Sequence, residues 1–361
     1  MASLLDIMSW RNISESIQKT ESGIPNPLPP VFTNLKEDVM GDRTTYLTFY
    51  GQRSTAKRVE YGSPSKVRTL KQVGEQTVAL LHFAEHIKFR QELQNLILRN
   101  PNSLDVQRMA QQEIARHTRD FKTLFDNTRI ACMMSMLANG KIWIDSSGNI
   151  LPSSSGTSTT IDFGIPAGNQ NQVSGIIGAS WATTTTAIIQ HIEDIKVKAR
   201  RATGRELKHA FYGQNIANYI FTNATMKSYW GFNSSIYGQF QSSPGSVPNG
   251  FAGLQWHPMA SGFYDDSTDT TQGFFGVDQV TFTPEIDRNV YTLFEGSLAV
   301  PKAFGISPTA LDGMGNFETV YGMGGYAVPE VDPVGIKQVN FDTFLPMWKV
   351  PNDMYICDVT P

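Results

Sequence analysis

The sequence offers one string able to do catalytic chemistry, His82-Phe83-Ala84-Glu85-His86, which fits H-x-x-E-H. On a helix, two histidines at i and i+4 share a face and could hold zinc, with Glu85 as general base. Zinc needs at least a third protein ligand. A pattern this short also arises readily in a segment that carries Lys88, Arg90 and Glu92, so the histidines read better as part of a solvated or interfacial face. A zinc metallohydrolase using His82, Glu85 and His86 stands as the alternative from another functional class. Gly313-Met314-Gly315 and Gly322-Met323-Gly324-Gly325 lack the continuation of a phosphate cradle and read as turns between strands. No G-x-S-x-G elbow occurs. The aromatics Tyr229, Trp230, Phe232, Tyr237, Phe240 and Trp256 have few interleaved cations, which favours packing over stacking on bases. No catalytic residue, cofactor or metal is therefore expected.

Composition narrows the class further. The chain has 361 residues and a net charge of −3, which excludes the strongly basic profile of a dedicated DNA binder. Charged residues make up 17%, below the usual ~25%, so the surface must be rich in uncharged polar groups. Cys132 and Cys357 cannot form a disulfide framework and read as inert core thiols. No apolar run reaches the ~18 residues of a membrane-spanning helix, and Asp6 and Arg11 interrupt any signal-peptide core. A protein made inside a cell, with no membrane partner, is the expectation.

The elements that would position these residues follow from periodicity. Residues 3–20 predict a short amphipathic helix, followed by Ile24-Pro25-Asn26-Pro27-Leu28-Pro29-Pro30, a proline-stiffened extended strip. A helix on such a tether suits docking outside its own core; the plainer alternative is a terminus held on the domain surface. Thr45, Leu47 and Phe49 alternate with Tyr46, Thr48 and Tyr50, the period of a half-buried strand. Extended runs at Ala56 to Tyr61 and Lys66 to Leu70, turned at Gly62-Ser63-Pro64, complete a long hairpin. It carries Arg53, Lys57, Arg58, Lys66 and Arg68, opposed by Glu60. Such a hairpin cannot stand alone in water and needs a surface to lie on.

Val78, Leu81, Ala84, Phe89, Leu93 and Leu96 predict a helix over 75–98. A second, over 103–138, carries the stripe Ile114, Phe121, Phe125 and Cys132 and spans about 50 Å, a spine across a flat domain. A hairpin at Lys141 to Phe163, helices at 184–201 and 213–226, and a loop-rich stretch from Tyr229 to Asp278 come next. Strands are expected at Gln279 to Phe282, Leu298 to Pro301, Phe317 to Tyr326, Lys337 to Phe344 and Met354 to Val359. The class is α+β with an interleaved second subdomain. A stiff arm, a charged hairpin, an over-long helix and aromatic loops all need an outside surface, and copies of the same chain can supply it.

The order of these parts resembles the lambda-type major head protein family (phage major capsid protein E). The resemblance rests on the Tyr46 to Leu70 hairpin with Gly62, the Leu137-Ala138-Asn139-Gly140-Lys141 step from helix to strand, and Pro351-Asn352-Asp353 before the Met354 to Val359 strand. It implies the tailed-phage major capsid fold (HK97-like): an N-terminal arm over 1–42, an extended loop over 43–72, a peripheral domain with the spine helix over 73–179, an axial domain over 180–280, and strands over 281–361 returning to the peripheral domain. It also implies a self-assembling virion protein, made in the host cytoplasm, whose pentamers and hexamers tile an icosahedral head around double-stranded DNA without sequence-specific binding. Scaffold, portal and decoration proteins are implied as further partners. Arg53, Lys57, Arg58, Glu60, Lys66 and Arg68 become candidates for contacts between subunits. An encapsulin-like compartment of the same fold, enclosing a protein cargo, is the nearest rival.

Overall fold

A computed structural model describes residues 9–20, 26–49, 73–89, 95, 99, 103–170, 178–231, 246–259, 261–265, 270–301, 317–331 and 334–360. Its first helix, α1 (Trp10–Lys19), places Ile13 and Ile17 four residues apart on one face, and both are fully buried. They pack against the spine helix and the strand Met323–Val331 of the same chain. The Ser14 hydroxyl donates to the Gly325 carbonyl and accepts from the Gly325 amide, each at 3.1 Å. That approach requires a glycine, since a Cβ at position 325 would sit 2.5 Å from Asn340 Oδ1 and 3.0 Å from Ile13. The expectation of a helix docked outside its own core is corrected here. Two isoleucines on a helix of this length seek the nearest apolar seat, and the chain's own body provides it.

After the short helix α2 (Val31–Asn34) come β1 (Lys36–Val39), β2 (Arg43–Phe49), β3 (Val73–Ala79) and β4 (Leu81–Lys88). The helix predicted over 75–98 is thus two strands for most of its length, with helical backbone described only at Asn95 and Arg99. Spacings of three to five residues fit neither period strictly, and the tertiary partner decides. Leu81 to Lys88 lie opposite Phe344 to Lys337 in antiparallel register, with Phe83 turned inward to stack on Phe344 at 5.7 Å.

The spine is α3 (Leu104–Asn139), within a residue of its predicted bounds. Its rise of ~1.5 Å per residue gives a length of about 54 Å. Asp105 sits in its first turn, where the helix dipole favours an acid. Gly140 ends it in a left-handed conformation at φ 64°, its amide donating to Met136. A Cβ there would lie 2.4 Å from Ile165 Cδ1, so this stop needs glycine twice over. The hairpin expected over Lys141 to Phe163 is a three-stranded sheet, in which β5 (Lys141–Ile144) pairs with both β6 (Ile150–Leu151) and β7 (Thr159–Asp162).

The main sheet is built from the late strands β13 (Tyr291–Pro301), β14 (Phe317–Tyr321), β15 (Met323–Val331) and β16 (Val334–Trp348), with β1 and β4 added. β1 runs parallel to β13, and β13 and β4 pair with successive halves of the same side of β16. α3 covers one face. Its first half shares a core with α1, and its last turns, Ile130 to Ala138, enter a larger core with Phe344 to Trp348.

A second core forms where α4 (Ile188–Ala202) and α5 (Ile216–Thr222) pack on the sheet β17-β12-β8-β9. Those strands are Tyr355–Asp358, Gln279–Pro284, Leu207–Tyr212 and Gln255–Pro258 respectively. β8 falls where no strand is expected, and β9, β10 (Gly262–Asp265) and β11 (Thr270–Gly273) lie in the stretch expected to be loops. The helix expected over 213–226 is two, α5 and α6 (Ala224–Gly231), separated at Asn223. The buried Asn223 side chain bonds both the Thr186 carbonyl and the Met226 amide.

Candidate assembly surfaces

β2 and β3 form a two-stranded ribbon in register from Arg43 opposite Ala79 to Phe49 opposite Val73. Thr44, Tyr46 and Thr48 are buried and alternate with exposed Arg43, Thr45 and Leu47. Tyr46 roots the ribbon in the main core, while Leu47, half exposed at 49%, shows an apolar side chain to the outside. Residues 50–72 continue from the ribbon's far end. The predicted contact residues Arg53, Lys57, Arg58, Glu60, Lys66 and Arg68 all belong to that segment and lie outside the described residues.

Beneath the ribbon's root sits a buried ion cluster that sequence reasoning missed. Arg129 of α3 donates through Nε and Nη2 to the two carboxylate oxygens of Asp342, both at 2.6 Å. Its Nη1 reaches Glu295 Oε1 at 2.6 Å, and Lys36 Nζ reaches the same oxygen at 2.9 Å. The guanidinium also lies over the Phe344 ring at 5.1 Å. Four elements, α3, β16, β13 and β1, are thereby tied at one point, and β1 leads through three residues into the ribbon. Burial alone would lower the Arg129 pKa, but Asp342 and then Glu295 raise it. Burial pushes the Asp342 carboxyl up against the pull of Arg129. Glu295, also burdened by burial, is held below the usual carboxylate range by Arg129 and Lys36. A signal existed: Arg129 stands four residues after Phe125 and three before Cys132, on the apolar stripe itself, and a charge there requires a buried acid.

Above the cluster opens a cleft of about 550 Å³ between α1, β1, α3 and the β13–β15 strands. Four acids and four bases line it, so it has no net charge to select an ionic ligand.

The H-x-x-E-H string is dispersed by its strand. Four residues at ~3.3 Å each set His82 and His86 about 13 Å apart, and alternation turns Glu85 to the opposite face. Neither arrangement can close a tetrahedral zinc site. His82 Nδ1 is instead hydrogen-bonded to Thr343 Oγ1 at 2.8 Å. Replacing His82 with alanine is expected to cost about 1 kcal/mol through that bond. Changing Glu85 or His86 should alter stability by less than about 0.5 kcal/mol, as for other surface positions. Thermal melts and elemental analysis check both expectations, and metal content should not respond to any of the three.

The remaining motifs resolve as packing. Both cysteines are buried and free, and burial pushes the Cys357 thiol up to about 12. Trp256 is buried in the second core, its indole donating to the Phe251 carbonyl. Gly322 makes the turn between β14 and β15 at φ 64°, whereas Gly324 and Gly325 belong to β15. Gly313 to Gly315, Phe232, Tyr237, Phe240 and the side chains of Tyr229 and Trp230 lie outside the described residues.

The sequence profile of the family described as phage major capsid protein E matches residues 48–294, more than half of the chain. The chain belongs to that family. A protein described as a prophage capsid protein from E. coli CFT073 has the same fold, with a TM-score of 0.54 at 13% identity, over 98% of this chain and 99% of that one. A phage-related protein of Bordetella bronchiseptica RB50 aligns over 99% of this chain and 98% of its own, at 11% identity and a TM-score of 0.49. Gordonia phage Cozz supplies another, at 11% identity and a TM-score of 0.42 over 94% and 91% of the two chains. No curated protein sequence matches the chain. Membership gives this phage capsid protein a capsid-forming, structural role and no enzymatic one. The ribbon and its buried root are accordingly features of a subunit.

Proposed function

We propose that this capsid protein forms pentamers and hexamers that tile an icosahedral phage head around double-stranded DNA. The observation that carries the reading is the β2–β3 ribbon, rooted by Tyr46 and joined by residues 50–72, among which Arg53, Lys57, Arg58, Lys66 and Arg68 are set against Glu60. A strand pair of this kind is stable when a neighbouring subunit covers it. Single surface ion pairs contribute little, but repeated around a closed shell they fix register. The net charge of −3 suits a shell that encloses DNA without gripping its phosphates.

On this reading 1–42 is the arm, although its helix α1 rests on its own subunit; 43–72 is the extended loop, 73–179 with 281–361 the peripheral domain, and 180–280 the axial domain. The axial core also draws in β12 and β17. The subunit passes through the host cytoplasm before joining the virion, and scaffold, portal and decoration proteins are its further partners. Electron microscopy of the protein expressed alone and with its genomic neighbours tests this. Closed shells, and nuclease-protected DNA in mature particles, are expected. Shells holding a protein cargo and no genome would instead establish an encapsulin-like compartment, and a protein that stays monomeric at high concentration would end both readings.

A further inference from the structure

Two histidines, the buried His209 and the partly buried His257, face each other where the two cores meet. β8 and β9 run parallel, and His209, Phe211 and His257 share the sheet face turned away from α4 and α5. On that face Phe211 meets Phe32 of α2 at 5.8 Å, and Phe32 in turn meets Tyr291 of the main sheet at 4.8 Å. From neighbouring β12, the Thr281 hydroxyl donates to the Leu137 carbonyl of α3 at 2.8 Å. The face is thus the junction between the second core and the first.

Within it, His209 Nδ1 lies 3.1 Å from His257 Nε2, with the rings stacked at 5.3 Å. Phe211 stacks on His257 at 5.1 Å, closing off water from one side. A nitrogen-to-nitrogen contact this short accommodates one hydrogen. It survives the first proton, because an imidazolium can donate to a neutral imidazole. It does not survive the second, when two N–H groups and two positive charges meet.

The groups around the pair do not relieve that conflict. β12 brings Thr283 opposite His209, β9 flanks His257 with Trp256 and Pro258, and α2 supplies Phe32. None of these takes up a proton in the acid range. The facing charge among the described residues is Glu285, 3.9 Å from His209 Nε2 and 71% exposed, beside the ring that would charge first.

We propose that His209 and His257 form a pH-sensitive latch holding β9 to β8 at the junction of the two cores, closed while their contact holds a single hydrogen and released when both rings are charged. β9 is the edge strand of its sheet and has β8 as its sheet partner, so it is the element that detaches. This inference does not depend on shell geometry; it is a property of each subunit.

The pH window follows from the direction of the shifts. Burial lowers both pKa values, and a charged His209 lowers His257 further, to about 4 from 6.5. The unfolded chain therefore binds protons first as pH falls. Stability from the neutral pair is complete above 6.5 and is lost on the way down to about 4. From His257 alone the folded-to-unfolded ratio should drop about 40-fold between pH 6.5 and about 4.5.

The test follows the full-length chain. Thermal unfolding across this range should show that drop in the wild type relative to His257→Gln, whose amide can donate and accept but cannot charge. Parallel loss in both proteins overturns the latch. Should the variant not fold, the wild type still decides. Its His257 imidazole resonance should titrate near 4, with amide exchange of Gln255 to His257 accelerating through the same midpoint. Titration near 6.5, or exchange at β9 that ignores the titration, overturns it equally.

Discussion

Arg129→Met should destabilise the subunit by about 3–5 kcal/mol, enough to leave little soluble protein. The loss comes from what remains behind. Asp342 is fully buried and takes both of its strong hydrogen bonds from this guanidinium, so without it a carboxylate is stranded in the core. Burial already pushes that carboxyl toward its neutral form, and removing the cation removes the opposing pull. Glu295 fares better because Lys36 still reaches it. The double variant Arg129→Met, Asp342→Leu should therefore recover most of the stability, since replacing both partners of a buried pair with apolar groups is often close to neutral. Denaturant melts of the unassembled subunit measure both. If the double variant proves no better than the single, the cost lies in poorer packing around Phe344 and the stranded-charge account is wrong.

The other large effect concerns assembly and not folding. Phe49 and Val73 are the last opposed pair among the described residues of the ribbon, so an Asn-Gly turn in place of residues 50–72 would close it without disturbing register. The shortened chain should melt within about 1 kcal/mol of the parent, because the ribbon's root at Tyr46 is untouched. Shell formation should fall at least about tenfold by sedimentation and electron microscopy, the equivalent of ~1.4 kcal/mol or more at each subunit interface. Milder variants discriminate further. Charge reversal at Arg53, Lys57, Arg58, Lys66 or Arg68 should weaken assembly, and reversal at Glu60 should weaken it in step with salt. Normal shells from the Asn-Gly variant would remove the extended segment from the assembly mechanism.

Legibility in the sequence tracks how local each determinant is. α3 is readable because its stripe, its acidic first turn and Gly140 all lie within the segment itself. The alternation of Thr44, Tyr46 and Thr48 against Thr45 and Leu47 is readable for the same reason. β4 is not: its spacing is ambiguous, and β16, some 250 residues later, decides it. Reading it as a helix is also what gives His82 and His86 a common metal. α1 is legible as a helix, but its seat is not, because the Ser14 partner is Gly325. The position of Arg129 on an apolar stripe announces a buried acid; which acids, Asp342 and Glu295, only the sheet can say.

The distances along the chain between partners carry a consequence in time. Lys36 pairs beside Leu293, Ser14 holds Gly325, and the Trp181 amide awaits the Val359 carbonyl. Closures over such separations come late in folding, because the entropy of each loop must be met before its contacts reward it. During translation α1, β1 and β8 therefore emerge long before their counterparts exist. The ion cluster that ties β1 to α3 and the main sheet closes only once residue 342 has been synthesised and Arg129 has met Asp342. On the assembly proposed above, a nascent chain would gain its complete body, and with it the capacity to join a shell, only near the end of its synthesis.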